Sequence, residues 1–200
     1  ALGFEFSGAQ LRWWAVLAQF ASAFLLFFLI PILAIRCFDP VDLAELGLGL
    51  GDRSFGFGRI LPLGILCLSI PAALSTWGMT SFQAEYPLAH LSLEGPMRFV
   101  PYQLAYGLLY YVAYEAFFRG FLQLGLARRL GHVPALLIQT AVTTLFHLGK
   151  PMPELWSALF AGLIFGLLII RARSIWPLVL GHCACGLVTI LVVGHVVGLI

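Results

Sequence analysis

The sequence predicts an all-α fold, a polytopic membrane helix bundle of about six transmembrane helices. Composition is the first reason. Of 200 residues, 61% are hydrophobic and 10% charged, whereas soluble domains carry about 25% charged residues. Mean hydropathy, at +0.98, is the second. The third is punctuation: long apolar runs are divided by short segments rich in Gly, Pro and charge, as expected where membrane-length helices are joined by turns. The length holds one membrane-embedded domain over 1–200 and leaves no room for a second. A formal net charge of +2 with no basic tract offers nothing to nucleic acid.

The first span is predicted over about 12–36, from "LRWWAVLAQF" through "IPILAIR". Trp13 and Trp14 suit the membrane interface, and the run is too long for the apolar core of a signal peptide. The chain does not open on Met, so its start reads as trimmed. The loop "FDPVDLAELGLGLGDRSFGFGR" stops the helix, and a second span follows over about 60–78. "TSFQAEYPLAHLSLEGPMR", broken by Pro87 and by Gly95 with Pro96, reads as a surface segment in the interface. The third span covers about 99–127 and the fourth about 134–148. The fourth is too short to cross the hydrocarbon without tilt or thinning, so His147 is expected below the membrane surface. "GKPMPE" breaks the chain before a fifth span at about 154–171 and a sixth at about 175–197. The spacings Gly162/Gly166 and Gly194/Gly198 predict close helix approach. Arg36, Arg53 and Arg59 fall on one side with Arg128, Arg129, Arg171 and Arg173, which predicts that side to be cytoplasmic and both termini to face outward.

The motif-bearing core is expected at about 99–197. "YEAFFRGF" places Glu115 and Arg119 near the middle of the third span. A charge there costs about 2.5–3.5 kcal/mol, while an i,i+4 pair returns about 0.3–0.5. The pair should therefore face the bundle interior or a wet cavity; it is either a structural ion pair or part of a site. His147 and His182 lie in later spans. Three helices that each bring a titratable group to similar depth suit hydrolysis of a carbonyl by an activated water, or a proton relay. Glu115 is the candidate base, His147 and His182 the water-binding and oxyanion groups, and Arg119 the residue that orients Glu115. Two histidines and a carboxylate also resemble a catalytic zinc shell, although no HExxH is present. Glu154 either caps the fifth helix, pairs with Lys150, or reaches the site from above. Glu85 and Tyr86 belong to a loop that could face substrate. His90, His132 and His195 read as interfacial. Cys183 and Cys185 are two apart on a helix, so they point to different faces, and Cys37 and Cys67 read as small apolar filler.

Over about residues 100–190 the chain resembles the CAAX-protease and bacteriocin-processing (CPBP) family. "YEAFFRGF" looks like its first motif, EExxxR followed by Gly; "LFHLGKP" sits where the second motif supplies a histidine; "SIWPLVLGH" resembles the start of the third. The resemblance implies a compact bundle with a site opening into the bilayer, in which a glutamate activates water and no metal is used. It matches Glu115 to the second motif glutamate, Arg119 to the arginine, and His147 and His182 to the two histidines. Three positions depart from the pattern: Tyr114 replaces the first glutamate, Gly186 replaces an Asn, and Thr143 replaces a Phe. A phenol, with a pKa of about 10, is no carboxylate base near neutral pH. Either Glu115 takes over, or the chain belongs to a branch with altered chemistry in which Glu154 supplies the missing carboxylate, or it is an inactive relative.

The expected function is an intramembrane endopeptidase that hydrolyses membrane-associated proteins or peptides without a cofactor, zinc being the alternative. Its partners would be a membrane-anchored protein or peptide and the lipid bilayer, in a bacterial inner membrane. The alternative is an inactive relative that binds membrane segments as a chaperone or immunity factor. A proton-coupled carrier is a third reading, for which paired repeats are missing.

Overall fold

The computed structural model describes residues 7–38 and 40–198, and all regular elements among them are helical. Helix α1 (Gly8–Phe38) starts with a reciprocal cap. The Ser7 side chain accepts the Gln10 N–H, and the Gln10 side chain accepts that of Ser7, so two orphan donors are satisfied at once. Helix α2 (Arg53–Gly78) is capped by Asp52, whose carboxylate accepts the Phe55 N–H at 2.9 Å. A short helix α3 (Thr80–Glu85) and a single turn at His90–Leu93 lead into α4, an unbroken helical run over 96–130. Helices α5 (His132–Phe146), α6 (Met152–Ala172) and α7 (Trp176–Val196) complete the bundle.

Helices α1, α2, α6 and α7 are long and apolar enough to cross a membrane. This is a polytopic helical bundle. Helix α5 has 15 residues; at about 1.5 Å each it covers about 22 Å of a roughly 30 Å hydrocarbon layer. His147 caps the end of α5 and lines the central cavity. The run through α4 is longer than the predicted third span. Gly95 at φ 91° and Pro96 at the first turn set its start, and Gly131 at φ 82° ends it.

Small residues decide which helices touch. Helices α2 and α7 meet at Gly64 and Gly181, where a Cβ on Gly181 would lie 3.3 Å from the Gly64 Cα. Helix α6 packs on α5 through Gly162 and Gly166, facing Thr140 and Leu136. Gln139 Nε2 donates to the Gly162 carbonyl at 2.8 Å, and Gln123 Nε2, from α4, donates to that of Gly166 at 2.6 Å. Buried amides thus fix the α4–α5–α6 layer where hydrocarbon packing alone gives no register. The second predicted glycine pair does not act this way: Gly198 faces open space and ends α7 at φ 72°.

The segment expected to lie on the surface in the interface is instead folded into the bundle. Phe82, Ala89 and Leu93 are buried, and Arg12 Nε donates to the Leu88 carbonyl at 2.8 Å. Its apolar residues cluster with Phe20 of α1 and Tyr102 and Tyr106 of α4, the Phe20 and Tyr106 rings stacking at 4.8 Å. The segment consequently hangs over the end of α5 and the start of α6.

Candidate active site

The backbone of α4 runs in wide π-helical turns at Tyr106–Tyr111 and Ala116–Gly125, on either side of the α-helical Val112–Glu115. Such widened turns recur at functional sites because they re-aim side chains. Here Tyr114, Glu115 and Arg119 are all buried in the bundle. Glu115 is fully enclosed, and Arg119 is 2% exposed.

Glu115 touches α7. Its Oε1 lies 2.8 Å from His182 Nδ1, and its Oε2 lies 3.7 Å from Arg119 Nε. These are ion-pair distances, although none of these atoms has a well-aligned hydrogen-bond partner. A carboxylate enclosed this way needs partners, here the Arg119 guanidinium and the His182 imidazole, since desolvation alone would disfavour its charge.

His147 and Glu154 form a second pair across the α5–α6 turn. The Thr143 carbonyl lies 2.8 Å from His147 Nδ1. That contact assigns the ring proton to Nδ1 and leaves a lone pair on Nε2. Nε2 lies 4.0 Å from Glu154 Oε1. The Tyr86 hydroxyl donates to the same Oε1 at 2.8 Å, while Glu154 Oε2 is buried without a partner. Burial, above all, and the charge of Glu154 raise the Tyr86 phenol far above its ordinary pKa, so it remains a neutral donor. Glu154 lies in the first turn of α6, as expected of a capping acid. Lys150 pairs with Glu85 rather than with Glu154.

A cavity of about 370 Å³ joins the two pairs; His147, Glu154, His182, Arg119 and Tyr114 line it. Tyr114 stands edge-on to both imidazoles, at ring distances of 6.2 Å to His147 and 5.7 Å to His182. Glu115 itself does not line the cavity, but both of its charged contacts, His182 and Arg119, do. One side of the cavity follows α2 through Leu68, Pro71 and Ser75, and the opposite side follows α6 through Ser157 and Ala161. His90, His132 and His195 do not line it, and His195 stacks on Trp77 instead. Cys185 faces the cavity and Cys183 a separate crevice, as their two-residue spacing predicts.

The structure adds Tyr111, Tyr110 and Tyr86 to the cavity wall. No local signal in the sequence marks the first two, since tyrosines in an apolar run read as packing. Among the described residues, no three His, Cys, Asp or Glu side chains converge on a point where a metal ion could be held. The zinc alternative therefore has no fitting ligand set there.

The polytopic helix bundle thus encloses a cavity lined by two histidines, a glutamate and an arginine. The family model for "Type II CAAX prenyl endopeptidase Rce1-like" matches residues 94–188, which hold all five candidate site residues. Over that stretch the chain is similar to the Rce1-like, CPBP family of CAAX-type endopeptidases. No curated protein and no solved structure matches the chain.

Proposed function

We propose that this protein is an intramembrane endopeptidase that cleaves membrane-anchored proteins or peptides, with Glu154 as the base that activates water. The observation carrying this reading is the cavity-facing pair of Glu154 and His147. Their facing atoms are 4.0 Å apart, close enough for one water to hydrogen-bond to both. Glu154 Oε2 retains unused acceptor capacity, and His147 Nε2 offers a lone pair.

In this reading the water oxygen bonds to the scissile carbonyl carbon as its proton passes to Glu154. The carbonyl π pair moves onto oxygen, where His182 and the Arg119 charge stabilise it. When the C–N bond breaks, its electron pair leaves with nitrogen, which takes the proton from Glu154. Glu115, the base expected from the sequence, is enclosed behind His182. Its proposed role is positioning: it fixes the orientation of the imidazole. Similarity to prenyl endopeptidases makes a lipidated C-terminal peptide the first substrate class to examine, in a bacterial inner membrane.

The test is cleavage by the protein reconstituted in nanodiscs, with a farnesylated fluorogenic CAAX peptide and an unlipidated transmembrane reporter. Glu154→Gln should fall to background. Glu115→Gln should keep about 1–10% of the rate, as expected for a residue acting through another. The reverse order would return the role of base to Glu115.

A further inference from the structure

We propose that the hydroxyl of Tyr111 is a catalytic oxyanion donor working beside His182, an assignment that rests on the endopeptidase reading above. Tyr111 and Glu115 are four residues apart on α4 and so share a face. His182 is held by both. Glu115 Oε1 lies 2.8 Å from its Nδ1, and the Tyr111 ring stacks on the imidazole at 5.5 Å with the planes 9° apart. The phenol extends past the imidazole to the backbone of α7 at Gly186. A Cβ added there would sit 2.5 Å from Tyr111 Oη and 3.2 Å from Cε2. Real side chains do not tolerate such an approach, so glycine at 186 is what admits the hydroxyl.

Gly186 comes one turn after His182, and both line the cavity together with Tyr111. Any polar side chain at 186 would project into the volume the phenol fills. The donor that α7 lacks one turn after His182 is therefore supplied from α4. Glycine at 186 is thus what lets tyrosine at 111 take this position.

During hydrolysis the carbonyl π pair shifts onto oxygen as the water oxygen bonds to carbon. The Tyr111 O–H, hydrogen-bonded to the Tyr106 hydroxyl in the resting site, turns to donate to that oxygen and keeps its proton. The interaction is strongest when the charge is largest, so it lowers the barrier without tightening substrate binding.

The experiment compares wild type, Tyr111→Phe, Tyr111→Ala, the double variant Tyr111→Ala/Gly186→Asn, and Glu154→Gln on the farnesylated CAAX peptide and the transmembrane reporter in nanodiscs. Tyr111→Phe keeps the ring, its stack on His182 and its volume, and loses only the hydroxyl. Its kcat should fall about 100-fold, with KM within about twofold and the melting temperature unchanged. The double variant, which places an amide in the vacated space, should exceed Tyr111→Ala by about tenfold or more. A Tyr111→Phe enzyme with wild-type kcat overturns the assignment while leaving the endopeptidase reading standing. Wild type that cleaves neither peptide above the Glu154→Gln control overturns that reading, and the Tyr111 role falls with it.

Discussion

The Tyr86 hydroxyl and Glu154 Oε1 are 2.8 Å apart, a contact that orients a carboxylate rather than merely filling space. A hydrogen bond to a charged group contributes about 1.5–3 kcal/mol. Tyr86→Phe should therefore lower the melting temperature and cost about tenfold or more in kcat, measured on the peptide cleaved by wild type. The buried Glu115 calls for a different expectation. Glu115→Gln leaves Arg119 and His182 without their counter-charge, and removing one partner of a buried ion group costs about 3–5 kcal/mol. Thermal melting in detergent should drop markedly for Glu115→Gln and hardly at all for Glu154→Gln, whose carboxylate is half-buried at the cavity wall. Residue by residue, the charged part of the site was legible in the sequence because charge is expensive in an apolar run. Glu115, Arg119 and His182 stood out for that reason and are in contact. Tyr111 was illegible because its significance depends on Gly186, 75 positions away in the sequence, and on a steric fit visible only in three dimensions.

At the scale of elements, the glycine after the motif arginine has a mechanical explanation. Gly120 on α4 faces the turn at 43–47, and a Cβ there would lie 2.8 Å from the Leu46 carbonyl oxygen. The same turn accepts the Ile175 N–H through the Gly47 carbonyl at 2.9 Å, so it joins α4 to the start of α7. Gly120→Val should push the turn away and destabilise the protein by about 1–3 kcal/mol, seen as a lower melting temperature; an unchanged melt would mean that the turn yields freely. Element boundaries followed local chemistry closely. Ser7, Asp52, Gly95 with Pro96, and Gly131 mark helix ends by capping, fixed φ or positive φ. The segment around Tyr86 was harder to place. Its polar composition suggested an interface, yet three apolar residues, Phe82, Ala89 and Leu93, fold it into the bundle, a tertiary preference that local pattern does not carry. That folding is what brings Tyr86 to Glu154.

For the whole molecule, the arrangement solves a solvation problem. Two carboxylates and an arginine in an apolar bundle are tolerable only if partners or a polar cavity receive them. The bundle does both, enclosing Glu115 with Arg119 and His182 and leaving Glu154 and His147 on the cavity. The arginine-rich ends of α1, α4 and α6 should face the cytoplasm. Cys37 is exposed beside Arg36 at one of these ends. In inside-out vesicles a membrane-impermeant maleimide should label Cys37, and in right-side-out vesicles it should not; the opposite pattern would invert the topology. The bundle class was legible from composition because no soluble fold accepts 61% hydrophobic residues with so few charges. Which carboxylate faces the cavity was not, because Glu115 and Glu154 differ only in what the neighbouring helices place in front of them.

The most direct measurement is mass spectrometry of peptide products formed in nanodiscs in H₂¹⁸O. Wild type should release a fragment whose new C-terminal carboxylate carries a single ¹⁸O, and Glu154→Gln should release none. Products without ¹⁸O, or equal labelled product from Glu154→Gln, would contradict hydrolysis by a water activated at Glu154.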